Sequence, residues 1–542
     1  MLQDLDARAG RSGGAEQAAP TRLSSLLDAR VLLAAALGMF LSQLYMQGFF
    51  LHDDALISLR FARNFVGTGA LEWNLGERVE GYTNFLHILA TSILMKFGFD
   101  PIHAVRTINV ASGAALLAAT WVGLVKLLPR DAPSAHSTIG LALVLLAGPL
   151  PLWIFGGLET VMVAALVTAG MVCTLSAVEA AGDGASRNRN RLLAIGGALL
   201  GCSILTRPDA AAVTAAAGLW LLVFQRSPIS DRVRSLLWLG VPAGIIVLSH
   251  VAWRYGYYGD LLPNTFYAKV SISLLQRLPN GVLYLLGCLL QLPALPVALV
   301  LTAIAASSGR LTLGMKILAL AILMHSLSIV WAGGDHMPGA RMMLPSLGMA
   351  ALLCAMGIAA LPEGQRALAA ALTFAVALLG GVAFSQEKMD KAAYYGTLVG
   401  QHLQKAERPG TLVALSGAGA VPYYAAELKF IDMLGLIDRT IARRRDVPML
   451  LPWQFVPGHA KGDGAYVLSR KPDIIILGPP SGITASQPWF LSDLEIAKHP
   501  EFARCYALVT LPLEASPEFR LAAPRVHFNP VPFNHYRRQC RD

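Results

Sequence analysis

The chain has 542 residues, of which 55% are hydrophobic and only 14% charged. Soluble domains carry about 25% charged residues, so this composition excludes a surface turned mostly to water. The net charge of +10 does not indicate nucleic acid, because Lys and Arg are scattered through short loops and form no dense stripe. The six cysteines include no CxxC pair and no Cys/His cluster, which argues against zinc or iron–sulfur chemistry.

In chain order, residues 1–30 read as a cytoplasmic N-terminal tail. The apolar stretch that follows is too long for a signal-peptide core and reads as a retained first span. Stretches of bilayer-crossing length recur near 31–51, 107–126, 138–155, 161–178, 192–206, 210–225, 235–253, 281–306, 311–331, 342–361 and 367–385. The expected fold is a polytopic α-helical membrane protein of about eleven transmembrane helices over 31–385, with a large first outer loop over 52–106. The segment 84–97 decides the parity. It is short and contains Asn84 and His87, so it reads as lying along the membrane surface. The basic loops carrying Lys126, Arg130, Arg187, Arg189, Arg191, Arg226, Arg232, Arg234 and Arg310 then all face the cytoplasm, as the positive-inside rule requires. The polar, aromatic and glycine-rich loops starting at His52, Gly156, Thr206, Tyr257 and Gly333 fall together on the outer side. Chemistry is expected there.

Residues 386–542 read as an extracytoplasmic α/β domain. Strand-length apolar runs at 411–415, 473–477 and 506–511 alternate with helical patterns at 391–405 and 491–498. The run SGAGAVPYY, 416–424, lacks dinucleotide-binding spacing and reads as a tight turn, with a phosphate cradle as the lesser alternative. Cys505 and Cys540 are the only cysteines outside the spans; an outer compartment can oxidise them, and sequence leaves both the bonded and the free state open.

Asp53 and Asp54 follow the first span directly, where a carboxylate costs free energy unless it is solvated, paired or used. In a helix they project about 100° apart, so one can face a reaction centre while the other pairs with Arg60 or Arg63. Further along the loop, Trp73, Asn74, Glu77, Glu80, Tyr82 and Asn84 combine aromatic, amide and carboxylate groups that suit a sugar. Other candidate sugar or acceptor contacts are Arg60, Asn64, Glu159, Asp209, Asn264, Asp335 and His336. Plainer explanations exist for several: Asp209 could pair with Arg207, Glu159 could cap the next span, and Asn264 and Asp335 could form turns.

The run DDALISLRFARNFVGTGALEWNLGERVEGYTNFLH, residues 53–87, resembles the first outer loop of polyprenyl-phosphate-dependent glycosyltransferases with the GT-C membrane fold. It is most similar to the family that includes the mycobacterial terminal β-(1→2)-arabinofuranosyltransferase. The GLET, RPD, YYGDLLPNTFYAK and GGD stretches resemble that family's recurring outer-loop segments, with His87 and His336 standing where tryptophan is expected. The resemblance implies a bacterial cytoplasmic-membrane enzyme whose outward-facing site moves a sugar, arabinofuranose in the named relative, from polyprenyl phosphate to an envelope glycan or lipid. Such a transfer needs a base for the acceptor hydroxyl, with Asp53 the first choice and Asp54 the second. It also needs cations for the leaving phosphate, for which Lys269, Arg341 and Arg207 are the candidates. His52, Asp53 and Asp54 are compatible with a divalent cation but lack a diagnostic spacing. The competing functions are a transporter or flippase for a lipid-linked saccharide, which should carry ionisable groups near mid-bilayer, and a non-catalytic envelope assembly protein.

Overall fold

The computed structural model describes residues 28–129, 134–179, 186–384, 389–448, 456–515, 517 and 530–540. The expectation of a cytoplasmic tail therefore falls almost wholly outside the described residues, as do Arg130 and the domain boundary at Gln386.

All eleven stretches read as spans contain helix, but fewer qualify as crossings by length and apolarity. Six do so alone: Ala29–Gln47, Pro101–Leu127, Thr160–Glu179, Ile229–Tyr258, Leu313–Ala332 and Glu363–Ala383. Two bent pairs raise the number to eight, His136–Leu145 with Pro149–Phe155 at 51° and Leu274–Gln291 with Ala294–Ser307 at 90°. Eight of the eleven expected stretches thus meet this measure among the described residues, and the other three contain shorter or less apolar helices. Pro208–Phe224 and Leu344–Ala360 are short apolar helices, while Ser186–Thr206 begins with three arginines that dilute its apolar character. The stretch 281–306 is not one helix, because Pro293 cannot donate to the helix ladder and stands at the right-angle break. Phe85–Lys96, in the doubtful segment, has 12 residues and would reach about 18 Å, short of a hydrocarbon core.

Leu248, Leu283, Leu290, Leu299 and Leu379 project outward, a pattern that is costly in water and ordinary against lipid chains. The chain is a multi-pass membrane protein. Leu344–Ala360 lies at the heart of the bundle, buried from Leu347 to Ile358. Connections segregate to two ends. At one end Leu128, Glu179, Arg310, Thr312, Glu363 and Arg366 line a shared cavity, and Arg189 donates to Ser235 Oγ at 2.6 Å. The other end carries the loops from His52, Gly156, Arg207, Tyr257 and Gly333, covered by the C-terminal domain through the contacts described below.

That domain contains strands β1 (Leu412–Leu415), β2 (Lys429–Asp432), β3 (Ile474–Ile476), β4 (Tyr506–Leu513) and β5 (Val531–Arg538), ordered β2-β1-β3-β5-β4. β1 pairs parallel with both β2 and β3, whereas β5 runs antiparallel between β3 and β4. The helices Lys391–Ala406 and Leu491–Lys498 lie where the sequence pattern puts them. Cys505 and Cys540 are joined by a disulfide, fastening the end of β5 to the start of β4.

Candidate active site

His52 anchors the start of the first outer loop, its backbone N–H bonding Gly156 O at 3.1 Å and its Nδ1 accepting from Asp54 N at 3.2 Å. This cap opens the helix Asp53–Thr68 and places both aspartates in its first turn, where the helix dipole favours a carboxylate. The two then diverge. Asp53 is buried, and its carboxylate accepts the backbone N–H groups of Gly419 and Ala420 at 3.2 and 2.8 Å, in the turn after β1. Burial, with Asp390 nearby, pushes its carboxyl up to about 7.

Asp54 faces a cavity lined also by Ser58, Tyr82, Thr83, Asn84, Glu159, Thr265, Lys269 and Arg341. Burial alone would raise its carboxyl, but the charges of His52, Lys269, His336 and Arg341 outweigh that and hold it below the usual carboxylate range. One aspartate facing a cavity is what the sequence led one to expect; the other's partners are corrected. Asp53 pairs with backbone amides of the α/β domain, while Arg60 and Arg63 turn to that domain's carbonyls.

The cations divide similarly. Arg341 Nε donates to Asp335 Oδ2 at 2.9 Å, and the guanidinium lies 5.9 Å from the Trp153 ring centroid. Lys269 ends the helix Asn264–Lys269 and has no ion-pair partner among the described residues. Arg207 is spent internally. It grips Asp209 through two bonds of 2.7 and 2.6 Å and donates to the carbonyls of Arg341 and Met342 at 3.2 and 3.1 Å, so it positions the Arg341 segment. His325 adds a third bond to Asp209 at 3.0 Å, so the plain pairing of Asp209 with Arg207 is what the fold contains. Asp335 follows the turn at Gly333 and holds Arg341 rather than forming the turn itself. Glu159 accepts from Asn84 Nδ2 at 3.3 Å and faces the cavity, directed at the site rather than only capping its helix.

Most of the remaining sugar-contact candidates serve the interface between the first loop and the α/β domain. Arg60 donates to Trp73 O at 2.7 Å and lies 5.0 and 5.1 Å from the Trp73 and Phe430 ring centroids. Asn64 donates to the Glu72 and Trp73 carbonyls at 2.8 and 3.1 Å, and Trp73 itself is buried. Asn74 exchanges two bonds with the Phe430 backbone, at 2.7 and 3.3 Å, and Glu77 accepts from Asn74. Glu80 forms a buried bidentate pair with Arg254. Asn264 donates to the carbonyls of Gly435 and Leu436 at 2.9 and 3.0 Å, so it clamps the domain instead of only forming a turn. Tyr82 and Asn84 do reach the cavity, while the His336 ring lies 6.5 Å from that of His52. Sequence reasoning did not single out Ser58, Thr83, Thr265 or His459; the first three lie inside flagged loops, whereas His459 comes from the tail and nothing local marked it.

Beside the Asp54 cavity is a larger one of about 480 Å³. The two share Thr83, Thr265, Lys269 and Arg341, and the larger continues along apolar side chains of the bundle, including Ile204, Leu205, Val247, Val251 and Trp331. No group of three His, Cys, Asp or Glu side chains among the described residues is placed to hold a metal ion. Asp53 accepts a backbone amide on each of its carboxylate oxygens.

Fold and site thus define a multi-pass membrane protein with a carboxylate–cation cavity under an α/β domain. The chain is 28% identical over 338 residues to the terminal β-(1→2)-arabinofuranosyltransferase of Corynebacterium glutamicum, a match covering 54% of this chain and 46% of the relative. It is 30% identical over 246 residues to the Mycobacterium tuberculosis protein of the same name, covering 43% of this chain and 36% of the relative. These matches bear out the resemblance read from the first outer loop. The chain spans less than half the length of these curated relatives. Residues 386–528 match a domain of unknown function, DUF8728. Among solved structures, ArnT from Cupriavidus metallidurans bound to undecaprenyl phosphate aligns with a TM-score of 0.49 and 13% identity, over 94% of this chain and 98% of that one. The oligosaccharyltransferase AglB from Archaeoglobus fulgidus, in complex with an inhibitory peptide and a dolichol-phosphate, aligns with a TM-score of 0.47 and 11% identity, over 73% of this chain and 64% of that one.

Proposed function

We propose that the protein is a membrane glycosyltransferase of the GT-C type that moves a sugar, arabinofuranose by analogy with its named relatives, from a polyprenyl phosphate to a hydroxyl of a cell-envelope glycan or lipid. One observation carries this reading: Asp54 shares a small cavity with Lys269 and Arg341, and that cavity adjoins an apolar one running between helices. A lipid phosphate has the same two-part chemistry, an anionic head and an apolar chain. Asp54 takes the acceptor hydroxyl proton as the acceptor oxygen bonds to C1 of the sugar. The bond from C1 to the phosphate oxygen breaks, its electron pair stays on that oxygen, and Lys269 and Arg341 stabilise the growing charge. Asp54 thus replaces Asp53 as the preferred base.

The enzyme belongs, in this reading, to the bacterial cytoplasmic membrane, with the cavity and the α/β domain outward. The gathering of basic connections at the opposite end of the bundle and the Cys505–Cys540 disulfide support that orientation. The test is transfer by the purified chain in lipid nanodiscs from polyprenyl-phosphate sugars, alongside mass spectrometry of envelope glycans from a deletion strain. Loss of a terminal sugar in the strain together with transfer in vitro supports the function; no transfer from any polyprenyl donor and an unchanged glycan profile refutes it.

A further inference from the structure

A line of aromatic rings joins the loop after Gly333 to the α/β domain. His336 meets His459 edge-on, with centroids 4.5 Å apart. His459 stacks on Phe490 at 5.5 Å and 30°, and Phe490 meets Trp489 at 6.4 Å. At the inner end the His336 ring lies 6.5 Å from that of His52, which accepts the backbone N–H of the proposed base, Asp54. The outer end is Trp489, whose surface is 61% exposed.

The rings are held in place from both sides. The buried Asp493 carboxylate accepts the backbone N–H groups of Trp489 and Phe490 at 3.2 and 3.0 Å, fixing the pair at the start of the helix Leu491–Lys498. Gly458, with φ of +83°, turns the chain back over the site, and a Cβ there would stand 3.2 Å from Lys269 Cε. This close turn packs the residue before His459 against Lys269, which lines the cavity. None of these four rings is used by the transfer chemistry. Leaving an indole so exposed on a water-facing domain costs free energy that a partner can recover.

Resting on the transferase reading, we propose that Trp489, Phe490, His459 and His336 form an acceptor subsite for a glycan of several sugar residues, whose terminal hydroxyl reaches Asp54. Sugar rings present apolar CH faces that lie against aromatic faces, while their hydroxyls need donors and acceptors at the edges. Exposed Ser486 and Gln487, immediately before the pair of outer rings, supply such groups. None of the four rings lines the apolar cavity and the outer two belong to the α/β domain, so the line suits an extended glycan rather than the headgroup of a lipid acceptor.

The full-length protein in nanodiscs would be assayed with saturating donor and arabinofuranose oligosaccharides of one to six residues. The parent should show kcat/KM rising with acceptor length. Trp489→Ala should lower kcat/KM for the longest acceptor by about three- to tenfold, mainly through KM, while affecting the single-residue acceptor less. Trp489→Phe should restore most of the loss, which a folding defect would not allow. Calorimetric titration of the hexasaccharide into parent and variant gives a second readout that survives failure of the transferase reading: weaker binding by the alanine variant still supports the subsite. No dependence on acceptor length, identical length profiles in parent and Trp489→Ala, or efficient use of single-sugar lipid acceptors regardless of Trp489 overturns it.

Discussion

Adjacent aspartates at the start of one helix do different work because about 100° of helical rotation sends their side chains to different neighbours. Asp53 goes to two backbone amides and Asp54 to a cavity with two cations. Asp54→Asn should therefore lower kcat by about 10²- to 10⁴-fold with little change in thermal midpoint, since it removes a base and leaves packing intact. Asp53→Asn should instead lower the midpoint, because the amide NH2 replaces one of the two oxygens that accept these N–H groups and a buried donor left unpaired costs about 1–3 kcal/mol. Kinetics and thermal melts of the two purified variants decide the assignment; a silent Asp54→Asn beside an inactive, fully stable Asp53→Asn would exchange the roles. The charge environment yields a pH prediction as well. Because nearby positive charge holds the Asp54 carboxyl down, the acid limb of kcat/KM should lie below the usual carboxylate range in the parent. Lys269→Met removes part of that charge, so the ionised form is favoured less and the limb should move to higher pH, in addition to any loss of donor affinity. A limb that stays in place or moves down would mean that Lys269 does not act on the base.

Among the elements, the first outer loop and the turn after β1 form a single joint although 366 positions separate Asp53 from Gly419. That separation explains what was legible. The loop's amides, carboxylates and rings marked it as important from sequence alone, but the same groups serve a sugar or a protein backbone equally well, and Arg60, Asn74 and Asn264 turn out to bond carbonyls of the distant domain. The glycine-rich run 416–424 was open in the same way: it does cradle an anion, and that anion is a side chain of the same chain. Helices and the apolar strands β1, β3 and β4 were readable from periodicity, whereas β2 has only Phe430 and Ile431 between Lys429 and Asp432, and β5 carries Asn534, His535, Arg537 and Arg538, which no apolar pattern reveals. The joint makes a specific demand on Gly419, where a Cβ would collide with both the carbonyl oxygen and the carboxylate of Asp53. Gly419→Ala should cost about 1–3 kcal/mol of stability, as overpacking does, and depress kcat by displacing the helix that carries Asp54. Thermal melts and steady-state kinetics check this; an alanine variant with parental activity and midpoint would show that the domain does not hold the catalytic helix.

At the scale of the whole molecule, the two ends of the bundle differ in chemistry. One end gathers Arg310 and Arg366 around a cavity, with Arg189 at the base of the neighbouring connection, while the other carries the carboxylate cavity and the disulfide-bonded domain. Basic connections are retained on the cytoplasmic side and disulfides persist in oxidising compartments, so both features fit the proposed orientation with the α/β domain outward. Single cysteines can test this cleanly, because Cys288 and Cys354 are buried, Cys173 and Cys202 lie partly buried in membrane helices, and Cys505 and Cys540 are bonded to each other. Ser486 is exposed on the α/β domain, and Ser308 is exposed in the connection just before Arg310. In intact cells, with any outer barrier permeabilised, an impermeant maleimide should label Ser486→Cys and should reach Ser308→Cys only after lysis. The reverse pattern would invert the protein and put the transfer chemistry in the cytoplasm, where nucleotide sugars are available and a lipid-linked donor loses its rationale. Labelling of both positions before lysis would place the two ends on the same side of the membrane and break the parity on which segment 84–97 is read as non-spanning.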